Sequence, residues 1–177
     1  MLIRFENLTI RNATADDAEQ LATWWNDGQI MSHAGFPNGT GETVEQIASS
    51  LEKNADDSGR QLILERDEVP IGEMNYCKVR EGVAEIGIKI CDFSLHDQGL
   101  GKIFLSMLID FLFTKMKYKK IILDTNLKNQ RAQHVYEQLG FRKVQVRENS
   151  WRDQLGELQS SVDHELLQGD FVNYTKQ

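Results

Sequence analysis

The stretch DTNLKNQRAQHVYEQLGF, residues Asp124–Phe141, contains the end of a predicted strand and the whole of the predicted helix that follows it. The apolar run KIIL that leads into it is typical of a buried strand. Asn129 is a residue type favoured at a helix N-cap, and Gly140 is the type that most often follows a helix end. The sequence therefore predicts a strand over 119–125 and a helix over 129–139.

A second stretch, HDQGLGKIFLSMLIDFLF at His96–Phe113, places two glycines directly before a long apolar run. The run predicts a buried helix over 99–117. Glycines at a helix start leave backbone N–H groups open to a ligand, and the positive end of the helix dipole favours an anion there. A phosphate-binding loop and a tight turn with glycines for packing both explain this stretch, which alone does not decide between them.

Two common phosphate-binding motifs do not fit the glycine pair. A Walker A loop needs Gly-x4-Gly-Lys-Ser/Thr, but this chain has His96 at the first glycine and Ile103 at the hydroxyl position. A dinucleotide fingerprint needs a third glycine where this chain has Phe104. Neither a P-loop nor a dinucleotide-binding fold is therefore expected.

Periodicity and turn residues predict the other elements. A strand over 8–12 is followed by a helix that Thr14 caps and that ends near Gly28, and the glycine-containing segment 28–41 is expected to be a mobile connection. The remaining elements are a helix over 42–54 and strands over 61–66, 69–79, 83–91, 141–146 and 161–167. The predicted fold class is α/β, a single domain over 1–177 with a mixed central sheet flanked by helices, in the order β-α-α-β-β-β-α-β-α-β-β.

Composition limits the function classes. Hydrophobic content of 40% and charged content of 27% are those of a globular protein, and a net charge of −7 argues against nucleic-acid binding. No apolar segment approaches the roughly 18 residues of a membrane span, and the start lacks a signal-peptide pattern. Cys77 and Cys91 have no CxxC spacing, and the four histidines have no metal-ligand spacing. We expect a cytoplasmic protein without metal, membrane or nucleic-acid partners.

Taken together, the two stretches resemble the GCN5-related N-acetyltransferase (GNAT) superfamily, whose members transfer an acetyl group from acetyl-CoA to an amine. Its pyrophosphate loop usually reads Gln/Arg-x-x-Gly-x-Gly/Ala, which corresponds here to His96–Gly101. Its later helix usually reads Asn-x-x-Ala-x-x-x-Tyr-x-x-x-Gly-Phe, matched here by Asn129, Ala132, Tyr136, Gly140 and Phe141. The resemblance covers almost the whole chain. The segments AEIGIKICD and WWND look most like the RimJ/RimL-like branch and its aminoglycoside 6′-acetyltransferase relatives.

The resemblance implies acetyl-CoA as co-substrate, with the pyrophosphate held by His96, Gln98, Gly99, Leu100, Gly101 and Lys102. His96 stands where the family usually has Gln or Arg, so Gln98 is an alternative side-chain contact. Asn129 is expected to bind the pantetheine arm, to cap its helix, or both. Arg131 is expected either to reach a CoA phosphate or to remain on the solvated helix surface.

Acetyl transfer needs a base, because a protonated amine cannot attack a thioester. Glu85 is our candidate: in VAEIGIKIC it lies on the strand face opposite the isoleucines, and the resemblance places a base glutamate there. A solvent-exposed structural glutamate is the alternative, and Glu73 and Glu42 are weaker candidates. The resemblance also implies an oxyanion site built from the backbone N–H groups of Lys89, Ile90 and Cys91.

Tyr136 is the general acid that the resemblance implies, since a thiolate leaves better when it is protonated as it departs. An ordinary core tyrosine on an amphipathic helix is the alternative. Cys91 is expected to be a small buried residue rather than a nucleophile, because no His–Asp pair is placed to activate it.

The acceptor site is expected between two walls. The first contains Trp25, Asp27, His33 and Phe36, and the second contains Trp151, Asp153 and Asp163. The acidic balance and the three aspartates favour a cationic small molecule or a peptide N-terminus. The predicted function is acetyl-CoA-dependent transfer to a primary amine. An acyl-CoA-binding sensor module with little catalysis is the alternative, and a homodimer is left open.

Overall fold

The computed structural model describes residues 1–176, which form an eight-stranded mixed sheet flanked by helices. The strands are β1 (Leu2–Phe5), β2 (Leu8–Asn12), β3 (Gly59–Arg66), β4 (Val69–Arg80), β5 (Val83–Ile90), β6 (Lys120–Asn126), β7 (Arg142–Arg152) and β8 (Leu158–Leu167). The helices are α1 (Ala18–Trp25), α2 (Gly28–Met31), α3 (Val44–Leu51), α4 (Leu100–Thr114) and α5 (Gln130–Gln138). The spatial strand order is β1-β2-β3-β4-β5-β6-β8-β7. The predicted fold class is therefore confirmed.

Two short elements are additional to the predicted order. Strand β1 has only four residues and pairs with β2 through a tight turn in which Glu6 has a φ of 52°. Helix α2 is a single turn whose N-cap, Asp27, accepts a hydrogen bond from Gln29 N at 2.8 Å. Four residues are too few to show a hydrophobic period, so neither element gives a clear sequence signal. Part of the segment expected to be a mobile connection is therefore helical.

Helices pack on both faces of the sheet. Helix α4 buries Phe104, Leu108 and Ile109 against the face that α5 also covers, which we call the coenzyme face. Helices α1 and α3 bury residues including Leu21 and Ile47 on the opposite face, which we call the acceptor face. Of the helices in residues 1–176, none combines the length and apolarity needed to cross a membrane.

The sheet opens between β5 and β6, which are the only parallel neighbours among the strands of residues 1–176. Their pairing covers Val83–Glu85 on β5 and Lys120–Ile122 on β6, while β5 remains paired with β4 as far as Ile90. Past Glu85, the edge of β5 that faces β6 therefore has no strand partner in the part of the chain that the structure describes. A gap of this kind exposes backbone N–H and C=O groups that a ligand can bind.

Candidate active site

The glycine loop presents bare backbone at the start of α4. Gly99 is the N-cap in a left-handed conformation, with a φ of 77°, which glycine adopts without strain. A Cβ added at Gly99 or at Gly101 would meet no atom within 4 Å. Packing inside the chain therefore does not require either glycine to lack a side chain, whereas close approach of a ligand would.

Hydrogen bonding within the first turn of α4 leaves donors free. Lys102 N and Ile103 N donate to Gly99 O at 3.1 and 3.3 Å. The N–H groups of Leu100 and Gly101 precede these bonds, so they have no acceptor in the helix. The open space at the glycines and these two donors form a cradle that fits the pyrophosphate of a coenzyme.

His96 does not extend into that cradle. Its Nε2 lies 2.9 Å from Ile90 O and its Nδ1 lies 3.1 Å from an Arg131 Nη1. This pattern assigns the neutral tautomer with hydrogen on Nε2, because a guanidinium can only donate. Arg131 also pairs with Asp97 through a 3.2 Å contact from Nε. His96 thus links the end of β5 to α5, which gives a structural reason for histidine where the family usually has Gln or Arg.

The other polar side chains of the loop are also engaged within the chain. Gln98 accepts from an Arg66 Nη1 at 3.2 Å and donates to Ser94 O at 3.1 Å. Lys102 Nζ donates to Gln138 Oε1 at 3.2 Å and lies 4.1 Å from the centre of the Tyr174 ring. The free donors of the cradle are therefore mainly backbone groups.

The three oxyanion donors predicted at the end of β5 are Lys89, Ile90 and Cys91, and two of them face the neighbouring strand instead. Cys91 N donates to Ile71 O at 2.9 Å and is therefore occupied. Because N–H direction alternates along a strand, the N–H of Lys89 also points toward β4, while those of Ile88 and Ile90 point to the opposite edge. That edge faces the gap between β5 and β6. The N–H groups of Lys89 and Cys91 are therefore excluded, that of Ile90 remains a candidate, and that of Ile88 is a candidate that the sequence did not indicate.

Tyr136 lies on the coenzyme face with 7% of its surface exposed. Its ring packs 5.8 Å from that of Phe141 and 5.4 Å from that of His164, measured between centroids. No hydrogen bond of its hydroxyl is found within residues 1–176. Burial, with a smaller contribution from Asp124, raises the pKa of Tyr136 to about 12. The hydroxyl is thus protonated at neutral pH, as both a general acid and a core tyrosine would be.

Glu85 borders a groove of about 310 Å³ on the acceptor face, together with Asp124, Arg147 and Asp163. Arg147 pairs with Asp124 at 2.9 Å and with Asp163 at 2.7 Å. Glu85 has no ion-pair partner within residues 1–176. Burial, followed by the charge of Asp124, raises the pKa of Glu85 above its usual value. A carboxylate with a raised pKa is a better proton acceptor, so the environment suits a base.

Glu85 lies well before the end of β5. It is four positions before Lys89, and a strand rises roughly 3.3 Å per residue, which gives about 13 Å along β5. A proton released near Lys89 therefore reaches Glu85 only through an intervening water.

The two predicted acceptor walls meet in the structure. Gln154, in the turn between β7 and β8, donates from its backbone N to Gly35 O at 2.8 Å and from Nε2 to Gly39 O at 3.0 Å. The ring of Trp151 lies so close to Gly35 that an added Cβ would be 2.5 Å from it. His33 and Phe36 are exposed on the same connection. The role of Gln154 in joining the walls was not predicted.

The three aspartates predicted to contact the acceptor have partners within the chain. Asp27 caps α2, and Asp163 pairs with Arg147. Asp153 accepts from the backbone N–H groups of Leu155 and Glu157 at 2.9 and 3.0 Å, so it stabilises the β7–β8 turn. Only Asp163 is paired with a cation, whereas Asp27 and Asp153 accept hydrogen bonds from N–H groups, so any argument for a cationic acceptor rests on these two.

Glu73 has a larger role in this region than its sequence position suggested. It is only 3% exposed and accepts from Trp25 Nε1 and from Lys89 Nζ, both at 2.9 Å, as well as from Gln61 Nε2. The predicted hairpin of strands 69–79 and 83–91 could have indicated the Glu73–Lys89 ion pair, because these two residues are cross-strand partners. Burial and the nearby Glu73 charge raise the pKa of Cys91 to about 12, which leaves its thiol unreactive.

Comparisons with known proteins agree with this geometry. The sequence matches the acetyltransferase (GNAT) domain family over residues 7–142. A spermidine N-acetyltransferase from Vibrio cholerae, solved in complex with CoA and spermine, has a TM-score of 0.83 at 22% identity, covering 93% of this chain and 98% of that one. A GNAT-family acetyltransferase from Bacillus anthracis has a TM-score of 0.77 at 21% identity, covering 94% and 98%.

The structural similarity at such low identity establishes the fold alone. The family match goes further, because it extends over most of the chain and includes Glu85, the glycine loop and Tyr136. The chain therefore belongs to the GNAT family of acetyltransferases.

Proposed function

We propose that this chain is an acetyl-CoA-dependent N-acetyltransferase that acts directly on the primary amine of a small molecule or a peptide N-terminus. The observation that carries the proposal is the backbone cradle at Gly99–Gly101, which leads to the unpaired edge of β5. Glu85 lies on the acceptor face where the pairing of β5 with β6 ends, and Tyr136 lies on the coenzyme face against His164 of β8. The V. cholerae neighbour, crystallised with CoA and spermine, supports a coenzyme and an amine as the two ligands.

Acetyl-CoA, when bound, supplies an acetyl group activated as a thioester. The Leu100 and Gly101 N–H groups would hold the pyrophosphate, and Asn129, whose Oδ1 also caps α5 through Ala132 N at 3.2 Å, would bind the pantetheine arm. Arg131 would contribute a positive charge at the loop. The coenzyme contacts proposed in the loop are thus backbone contacts at Gly99–Gly101, because the side chains of His96, Gln98 and Lys102 are engaged within the chain.

Each chemical step can be assigned to a group of this chain. Glu85 would accept the proton of the attacking amine through water. The Ile88 and Ile90 N–H groups would stabilise the negative charge that develops on the carbonyl oxygen as the new C–N bond forms. Tyr136 would donate its proton to the sulfur as the C–S bond breaks, and would regain a proton from solvent.

The alternative is an acyl-CoA-binding module with little catalysis, and the packing of Tyr136 in the core is the observation that favours it. In that case the protein would bind coenzyme but release no thiol when an amine is added. The single-domain organisation over 1–177, the cytoplasmic location and the absence of nucleic-acid and membrane partners remain part of the proposal. The question of a homodimer stays open.

Replacing Gly101 by valine should abolish most coenzyme binding with little effect on the free protein. The added side chain enters open space, so the melting temperature without ligand should stay close to that of the parent. Acetyl-CoA at 100 times its Kd should stabilise the parent by about 2.7 kcal/mol, and this stabilisation should largely disappear in the variant. Thermal denaturation with and without acetyl-CoA measures both quantities.

Gly156→Val is the matched control, since a Cβ there also meets no atom within 4 Å and the residue lies in the distant β7–β8 turn. Because Gly156 has a φ of 83°, this control should lower the melting temperature but keep the shift caused by acetyl-CoA. Equal shifts for parent and Gly101→Val would show that the loop does not bind the pyrophosphate.

A further inference from the structure

Glu73 is at the centre of a polar cluster between the sheet and α1. Three donors reach its carboxylate from three different elements: Gln61 from β3, Lys89 from β5 and Trp25 from the end of α1. The carboxylate is therefore fixed in position, and it fixes the ammonium and the indole in turn. All three donors lie on the acceptor face.

Stability alone does not explain this cluster. Two of its neighbours are buried and apolar, Ile63 directly across on β3 and Cys91 at the end of β5. Transferring a carboxylate and an ammonium out of water costs about as much as their attraction returns, so an apolar pair of similar size would stabilise the fold as well or better. A binding role for the exposed end of the pair gives a reason for its presence.

The exposed end is the cation. Glu73 is 3% exposed, whereas 29% of the Lys89 side chain is accessible. An ammonium has three N–H donors. Within residues 1–176, Lys89 Nζ has a single hydrogen-bond acceptor, Glu73 Oε1, so two donors remain for a ligand.

Lys89 also lies next to the proposed reaction centre. It is flanked on β5 by Ile88 and Ile90, whose N–H groups point into the gap between β5 and β6. A group bound by Lys89 would therefore belong to the same acceptor molecule as the reacting amine. Among the aspartates of the acceptor walls, Asp163 already pairs with Arg147, so its charge is compensated within the chain.

We propose that Lys89 is a specificity-determining residue: it binds an anionic group, a carboxylate or a phosphate, that the acceptor amine carries. This role rests on the proposed acetyltransferase function. Glu73 is a positioning residue that holds Lys89 and Trp25 on the acceptor face. The preferred acceptor is then an amine that bears an anion, and a polyamine is a poor one.

Matched acceptors test this assignment without knowledge of the natural substrate. A series of ω-amino acids of two to six carbons is compared with the corresponding carboxamides, with aminoalkyl phosphates and with spermidine. For the parent protein, kcat/KM should be about ten- to a hundredfold higher for the best anionic acceptor than for its neutral analogue, the range of one charge-assisted hydrogen bond. Comparing the aminoalkyl phosphates with the ω-amino acids shows whether the bound anion is a phosphate or a carboxylate.

Lys89→Met should reduce this preference to near unity by raising KM for the anionic acceptor, while KM for acetyl-CoA stays unchanged. Lys89→Arg should retain most of the preference. Lys89→Met combined with Glu73→Gln repeats the test without an unpaired buried carboxylate. Lys120→Met is the matched control, because Lys120 has the same 29% exposure and a similar pairing with Glu165 at 2.7 Å.

The preference is a ratio measured within each variant, so a partial loss of folded protein does not affect it. A parent that acetylates amines with no preference for the anionic members would overturn the role of Lys89 and leave the proposed function intact. An unchanged preference in Lys89→Met would do the same. Coenzyme binding without transfer to any acceptor would overturn the proposed function, and the role of Lys89 with it.

Discussion

Replacing Tyr136 by phenylalanine should lower kcat by roughly 10²–10⁴-fold, the usual contribution of a positioned proton donor. The change removes only the hydroxyl, which makes no hydrogen bond within residues 1–176, so the contacts of the ring with Phe141 and His164 are kept. Affinity for acetyl-CoA should stay near that of the parent, because the ground state does not use the proton. Single-turnover kinetics, which isolate the chemical step, measure the loss.

The same variant, Tyr136→Phe, separates a catalytic role from a packing role when a second acyl donor is used in place of acetyl-CoA. With an activated acyl thioester whose thiolate leaves without protonation, the difference between Tyr136→Phe and the parent should shrink. Tyr118→Phe is a suitable control, since Tyr118 is also buried and aromatic but lies before β6. If Tyr136→Phe transfers acetyl at the parent rate with chemistry limiting, Tyr136 is a core residue and the acid must be sought elsewhere.

Replacing Glu85 by glutamine should lower kcat/KM for the amine by roughly 10²–10⁴-fold at neutral pH if Glu85 is the base. In the parent, activity should fall as the pH drops through the raised pKa of Glu85, because protonation removes the acceptor. The variant should lose this acidic limb. A pH profile of kcat/KM for both proteins is the measurement, with Glu42→Gln as an exposed control.

Stability gives an independent check on Glu85. Its folded pKa lies above the unfolded value, so ionisation opposes folding, and this group lowers the free energy of unfolding as the pH rises through the ordinary range of a glutamate. Glu85→Gln should therefore be at least as stable as the parent at pH 7. A large loss of stability together with the loss of rate would indicate a structural role.

The long elements of the fold were predictable because their residues repeat with a clear period and end at recognisable residues. Helix α5 begins after Asn129 and ends before Gly140, as expected from the cap preferences of these residues. The prediction for β7 ended at Val146, but the strand continues to Arg152. Its second half is polar and exposed, so it lacks the apolar alternation that identifies a strand.

The parts of the candidate site that depend on backbone groups of one short segment were predictable from the sequence. The parts that depend on contacts between side chains distant in sequence were less predictable. The glycine loop follows from two residues, whereas the partners of His96 come from β5 and α5 and depend on tertiary packing. The occupied N–H of Cys91 depends on strand register. Cross-strand pairing could have indicated the Glu73–Lys89 pair, but the third partner, Trp25, lies on a helix 48 residues away in sequence from Glu73.

Transfer of an acetyl group from acetyl-CoA to an amine is the reaction that we propose for this chain. The most direct measurement incubates the protein with acetyl-CoA and a panel of amines and hydroxyl compounds, and follows free thiol together with the mass of the acceptor. If the chain catalyses this reaction, thiol release should require an amine, and an acceptor heavier by one acetyl group should form in an equal amount. Coenzyme binding without amine-dependent thiol release, or transfer to hydroxyl compounds only, would contradict it.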